Sequence, residues 1–105
     1  MVNVLRGDWL TTGPAVAEFE KALCDVTTAP HSVACSSGTA ALHLAYITVG
    51  VAPGDRIIVP AVTFAASANA AKYIGATPVF ADVDPETGLM TPETFSAALD
   101  VAGDV

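Results

Sequence analysis

Only four of the 105 residues are lysine or arginine, and Arg6, Lys21, Arg56 and Lys72 are scattered along the chain. Eleven acidic residues leave a formal net charge of −7. Phosphate backbones are held by clustered cations, so this distribution argues against nucleic acid as a partner. It also offers no basic patch to an anionic membrane surface. Long hydrophobic runs are missing too. A membrane-spanning helix needs ~20 apolar residues, whereas Pro, Gly, Asp or Arg interrupts every apolar stretch here. The opening MVNVLRGDW lacks the apolar core and cleavage site of a signal peptide, which makes the cytoplasm the expected compartment. Cys24 and Cys35 have no metal-ligand spacing and read as small, buried, reduced thiols. His31 and His43 have no evident partner ligands and read as structural, so no metal site is expected. Neither G-x-G-x-x-G nor G-x-x-x-x-G-K-[ST] occurs, which disfavours a Rossmann-like or P-loop nucleotide module.

Apolar residues, by contrast, are abundant. They make up 52% of the chain against 14% charged, where an ordinary domain carries about 25% charged residues. A chain of this length buries roughly two-thirds of its unfolded surface and needs polar cover for the rest. The excess implies a piece of something larger, with faces covered by other parts of a protein or by a partner.

Helical and extended periods alternate along the sequence. PAVAEFEKALCDV spaces Val16, Phe19, Leu23 and Val26 as one helical stripe, with Gly13 and Pro14 suited to its start. HSVAC is a short extended run. Residues 39–49 form a helix that is apolar almost all round and therefore buried on more than one side. APGD is a turn, RIIVP a β-branched strand, and TFAASANAAKYIG a small-residue helix ending at Gly75. TPVFADVD gives a third strand and DPETG a turn. Thr91 and Pro92 then open a last helix as cap and first residue. The order α-β-α-β-α-β-α predicts an α/β fold with a mostly parallel sheet covered by helices. Three strands is thin for that architecture, so the domain is expected to be incomplete in this chain.

Ligands of open α/β sheets gather at the carboxyl ends of strands. The first such end is Cys35-Ser36-Ser37-Gly38-Thr39-Ala40. Gly38 permits close approach of a ligand, and the first N–H groups of the following helix lack intrahelical acceptors. Those donors, with the Ser37 and Thr39 hydroxyls, suit a phosphate; the alternative is that Ser36 or Ser37 merely caps the helix. At the second end, Phe64 either lies over a planar ligand or is a core phenylalanine, and taken alone the core reading is favoured. At the third, Asp82 and Asp84 alternate and could handle a proton or a metal. The favoured alternative is a polar strand exit in which Asp84 starts the turn.

Taken in order, LRGDWLTTGPAVAEFEKAL (5–23), residues 33–90 with VACSSGTAALHL at their start, and TPETFSAAL (91–99) resemble the large domain of fold-type-I pyridoxal-phosphate enzymes. More narrowly they resemble the DegT/DnrJ/EryC1/StrS sugar aminotransferases, and within them the transaminases that make UDP-linked 4-amino-4,6-dideoxy sugars of the pseudaminic acid type. The resemblance implies that residues 1–105 are part of an aspartate-aminotransferase-like, pyridoxal-phosphate-binding large domain, truncated at both ends and without the small C-terminal domain. It implies that Ser37, Gly38, Thr39 and Ala40 hold the cofactor's phosphate and that the ring of Phe64 lies against the pyridine. It places Trp9, Thr11 and Gly13 in an entrance segment near the sugar substrate or dimer interface. Asn69 and Asp84 fall in family-typical stretches and are assigned to support of helix and sheet.

The same resemblance implies transfer of an amino group, from glutamate, to a keto group of a nucleotide-linked sugar by an intact homodimer. The family's Schiff-base lysine and the acidic partner of the pyridinium nitrogen lie downstream of the matching region, and neither Lys21 nor Lys72 corresponds to that lysine. This chain is therefore expected to contribute no catalytic residue and to be inactive alone. Two alternatives stand beside this reading. Relatives that carry histidine in place of the lysine are dehydratases. A non-catalytic fragment or interaction piece would aggregate or depend on a partner.

Overall fold

The computed structural model describes residues 2–103. Met1, Asp104 and Val105, which the expected domain 1–105 also includes, lie outside the described residues. The chain forms two compact units, Met1–Cys35 and Ser36–Val105.

In the first unit a short helix α1 (Val2–Leu5) is followed by a turn and by α2 (Pro14–Thr27). Proline at the first position needs no N–H partner, and α2 ends where Thr28 turns left-handed at φ 59°. No residue of α2 is buried. Its apolar stripe stays open, with Val16, Phe19 and Val26 39%, 55% and 82% exposed, because this unit has no second layer to bury it against.

HSVAC, expected as a strand, does not become one. A strand needs a hydrogen-bonded neighbour, and this run is tied to α2 instead. Ser32 Oγ donates to the Glu20 carbonyl (2.6 Å), and the Ala34 N–H donates to Glu20 Oε1 (2.8 Å). Cys35, at its end, is exposed rather than buried, while Cys24 is half-buried; neither is in a disulfide among the described residues.

The second unit runs α3 (Gly38–Thr48), β1 (Arg56–Pro60), α4 (Ala66–Tyr73), β2 (Thr77–Ala81) and α5 (Pro92–Ala102). The strands pair in parallel, from Arg56 opposite Thr77 to Pro60 opposite Ala81, with α4 as the crossover. This is the expected α/β arrangement with a parallel sheet, though with two strands among the described residues rather than three. Helices α4 and α5 pack on the sheet, and α3 packs on α4. The core is Val59 with alanines, among them Ala70 and Ala71 of α4, Ala81 of β2 and Ala98 of α5. Side chains this small let helix and strand backbones approach closely, which explains the alanine-rich composition. Helix α3 has no buried residue, against the expectation of burial on several sides; α4 is the element that packs against it substantially among the described residues.

Local chemistry sets the connections. Pro53 and Gly54 (φ +98°) form a turn closed by the Asp55 N–H on the Ala52 carbonyl. Gly75 follows α4 at φ +80°, as expected of a helix stop. Thr91 caps α5 in a reciprocal box with Thr94. Among the described residues no helix is long and apolar enough to cross a membrane.

Candidate functional site

At the junction into α3 the serine cap that CSSG offers is formed. Ser37 is the cap, with extended backbone (φ −164°, ψ 162°), and its Oγ accepts from the Ala40 N–H at 3.2 Å. Its carbonyl accepts from the Ala41 N–H at 3.0 Å, starting the helical ladder. Helix geometry leaves the N–H groups of Gly38 and Thr39 with no carbonyl of the helix to bond. No acidic side chain sits in the first turn to compensate the positive end of the helix.

A groove of about 610 Å³ opens beside this end, lined by Gly38, Thr39, Leu42, Ala45, Phe64 and Ser67, among others. Its size falls in the range of small-molecule sites, roughly 300–1,000 Å³. Gly38, Thr39 and Phe64, separated in sequence by α3 and β1, thus meet on one concavity. Phe64 is 78% exposed, which overturns its reading as a core residue. It sits in the connection between β1 and α4. A side chain on Gly38 would meet no protein atom within 4 Å of its Cβ. Ser37 and Ala40, expected in the same cup, are engaged with each other and do not line the groove.

The sequence reading missed Leu42, Ala45 and Ser67. For the first two a signal existed: Gly38, Ala41, Leu42 and Ala45 are spaced as one face of a helix. Ser67 follows Phe64 by three residues, within the first turn of α4.

Trp9, Thr11 and Gly13 come together within the first unit. They line a groove of about 560 Å³ with Phe19, Asp8 and Glu18 among its other walls. Asp82 and Asp84 form no site. Strand β2 ends at Ala81, and Asp84 Oδ1 accepts from the N–H groups of Glu86 (3.1 Å) and Thr87 (2.8 Å) and from the Thr87 hydroxyl (2.9 Å). Those bonds, led by the Thr87 N–H, hold the Asp84 carboxyl below its ordinary value. This is the polar strand exit favoured from sequence. Among the described residues no cluster of His, Cys, Asp and Glu could hold a metal. Lys21 pairs with Asp25 on α2 at 2.7 Å, and Lys72 does not line the α3 groove. Asn69 is an exposed position of α4.

Comparison with known proteins identifies the family. The description of the DegT/DnrJ/EryC1/StrS aminotransferase family matches residues 1–102. A GDP-perosamine synthase of Caulobacter vibrioides is 46% identical over 82% of this chain and 26% of its own length. A Streptococcus pneumoniae protein described as a sugar aminotransferase has been solved in PLP and PMP forms. Its PLP form superimposes with a TM-score of 0.84 at 41% identity, covering 92% of this chain and 25% of that one. A DegT DnrJ EryC1 StrS aminotransferase of Brucella abortus gives a TM-score of 0.80 at 40% identity, over 99% of this chain and 29% of that one. The chain thus spans about a quarter of the length of these relatives. It belongs to the DegT/DnrJ/EryC1/StrS aminotransferase family.

Proposed function

We propose that the α3 groove holds pyridoxal 5′-phosphate and that the protein of which this segment forms part aminates a nucleotide-linked keto sugar, with glutamate as donor. The observation that carries this reading is the meeting of Gly38, Thr39 and Phe64 on one groove at the α3 N-terminus. The residues present fit the group. A phosphate would accept from the Gly38 and Thr39 N–H groups and the Thr39 hydroxyl, at the positive end of the helix. A Cβ on Gly38 would meet no neighbouring protein atom within 4 Å, so a ligand can approach its backbone closely. Phe64 offers a ring face to a planar heterocycle and would limit its tilt. Ser37 and Ala40 act indirectly, by fixing the first turn of α3. When bound, the cofactor supplies an electron sink for chemistry at the amino-bearing carbon.

In this reading residues 1–105 are part of the cofactor-binding large domain of a homodimer. Lys21 and Lys72 take no covalent role; the lysine and the acidic partner of the ring nitrogen are assigned to the region that the resemblance places downstream. The Trp9, Thr11 and Gly13 groove is assigned to the sugar substrate. The likeness to a GDP-perosamine synthase supports a nucleotide-linked sugar. A UDP-linked sugar of the pseudaminic acid type is the finer form of the proposal, and competition between UDP- and GDP-linked keto sugars for the protein separates the two. Two cysteines outside any disulfide among the described residues accord with a cytoplasmic setting.

The test is titration with pyridoxamine 5′-phosphate, which has no aldehyde to react with lysines, followed by its fluorescence. Inorganic phosphate should compete with it. Thr39→Val, which removes a hydrogen bond to a charged group, should weaken binding about tenfold. Gly38→Ala, whose Cβ meets no neighbouring protein atom within 4 Å, should weaken it at least as much. Unchanged affinity in both variants would overturn the assignment.

A further inference from the structure

We propose that Ser67 is a positioning residue that fixes the ring of Phe64 over the groove, an inference that rests on the cofactor reading above. Phe64 itself has little to hold it: the ring is 78% exposed and lies in the connection between β1 and α4. Its backbone, however, is bracketed by a single residue. The Ser67 N–H donates to the Phe64 carbonyl at 3.0 Å. The Ser67 hydroxyl shares a hydrogen bond with the hydroxyl of Thr63, the residue before Phe64, at 3.1 Å. The Ser67 carbonyl accepts a long hydrogen bond, 3.4 Å, from the Tyr46 hydroxyl on α3. That helix carries Gly38 and Thr39 at its other end.

Ser67 therefore joins the two halves of the groove, the aromatic loop and the anion-binding helix. A ligand that meets an already oriented ring avoids the ordering cost that a loose loop side chain would impose. Ser67 also lines the groove, so direct contact with the phosphate is the competing role. The two roles differ in what they predict. Positioning of Phe64 affects a ligand with an aromatic ring and leaves inorganic phosphate indifferent, whereas direct contact affects both.

The experiment titrates the chain and its Ser67→Ala, Ser67→Thr, Thr63→Val and Phe64→Ala variants with pyridoxamine 5′-phosphate and, separately, with inorganic phosphate. Circular dichroism confirms retained helix content. Loss of ring stacking should cost the pyridoxamine phosphate affinity about fivefold in Ser67→Ala and in Thr63→Val. Inorganic phosphate affinity should not change, and Ser67→Thr, which keeps the hydroxyl, should bind as the parent does. A parallel loss for both ligands in Ser67→Ala, or none for either, would overturn the proposal. So would a failure of Ser67→Thr to retain affinity. If Phe64→Ala loses affinity for pyridoxamine phosphate while Ser67→Ala does not, the cofactor reading stands and this inference falls. If the parent chain binds neither ligand, the cofactor reading falls and takes this inference with it.

Discussion

A β-carbon placed on Gly13 would stand 2.8 Å from the Cβ of Trp9, closer than real side chains pack. The backbone of Gly13 is ordinary (φ −83°, ψ −176°), so glycine is required there for space and not for its conformational range. Gly13→Ala should push Trp9 aside while leaving α2 capped and helical. Trp9 is the sole tryptophan, so its fluorescence reports the movement directly. An altered emission maximum with unchanged helical circular dichroism is the expected result, and an unaltered emission spectrum would speak against the contact.

Glu20 holds the run that precedes α3 by accepting two bonds, one at its carboxylate from the Ala34 N–H and one at its carbonyl from the Ser32 hydroxyl. Glu20→Ala removes the acceptor for the Ala34 N–H and leaves the Ser32 bond to the carbonyl in place. Amide exchange at Ala34 should accelerate about fivefold, the equivalent of ~1 kcal/mol. Glu20→Gln, which keeps a side-chain oxygen, should recover most of the protection. Equal exchange rates in the parent and the alanine variant would show that the bond contributes nothing.

What could be read from sequence divides along the range of the forces involved. The Thr91-Pro92 start, the Pro53-Gly54 turn and the stop at Gly75 depend on residues within a few positions, and each formed where its local chemistry put it. RIIVP and TPVFA became strands because each has the other as partner. HSVAC carries a single β-branched residue, Val33, and no strand lies beside it among the described residues; it bonds to Glu20 through the Ser32 hydroxyl and the Ala34 N–H instead. Exposure proved least legible. Phe64 is apolar and so looks like core, yet its side chain is largely exposed. At the candidate site Gly38, Thr39 and Phe64 were visible through their resemblance to a family pattern. Ser67 was not, because its role depends on how α4 packs against α3, and no local pattern encodes that.

Thr91 and Thr94 make a capping box in which each side chain accepts from the other's N–H, at 3.3 Å and 3.0 Å. Thr91→Ala should therefore destabilise the second unit by ~1 kcal/mol, the usual cost of losing a helix cap. Thr91→Ser retains the acceptor and should restore most of that stability. Urea unfolding followed at 222 nm measures both. A midpoint unchanged by the alanine substitution would show that α5 does not depend on its cap.

The turn after β2 supplies the clearest dependence on pH. Three donors converge on Asp84 Oδ1, and the bonds from Thr87 are the main reason its carboxyl lies below the ordinary value of 3.8. A carboxylate depressed in the folded state stabilises fully above the unfolded value, and that contribution is lost as pH falls through the folded value. The turn should therefore persist unchanged down to about pH 4 and loosen only below it. Followed by NMR, the Thr87 amide shift should titrate with a midpoint below 3.8. Thr87→Val removes the hydroxyl donor but keeps the N–H, so its midpoint should move only part of the way back up. Asp84→Asn should abolish this titration while still accepting from Thr87. A midpoint at or above 3.8 in the parent chain would mean that the Thr87 bonds do not favour the charged carboxylate.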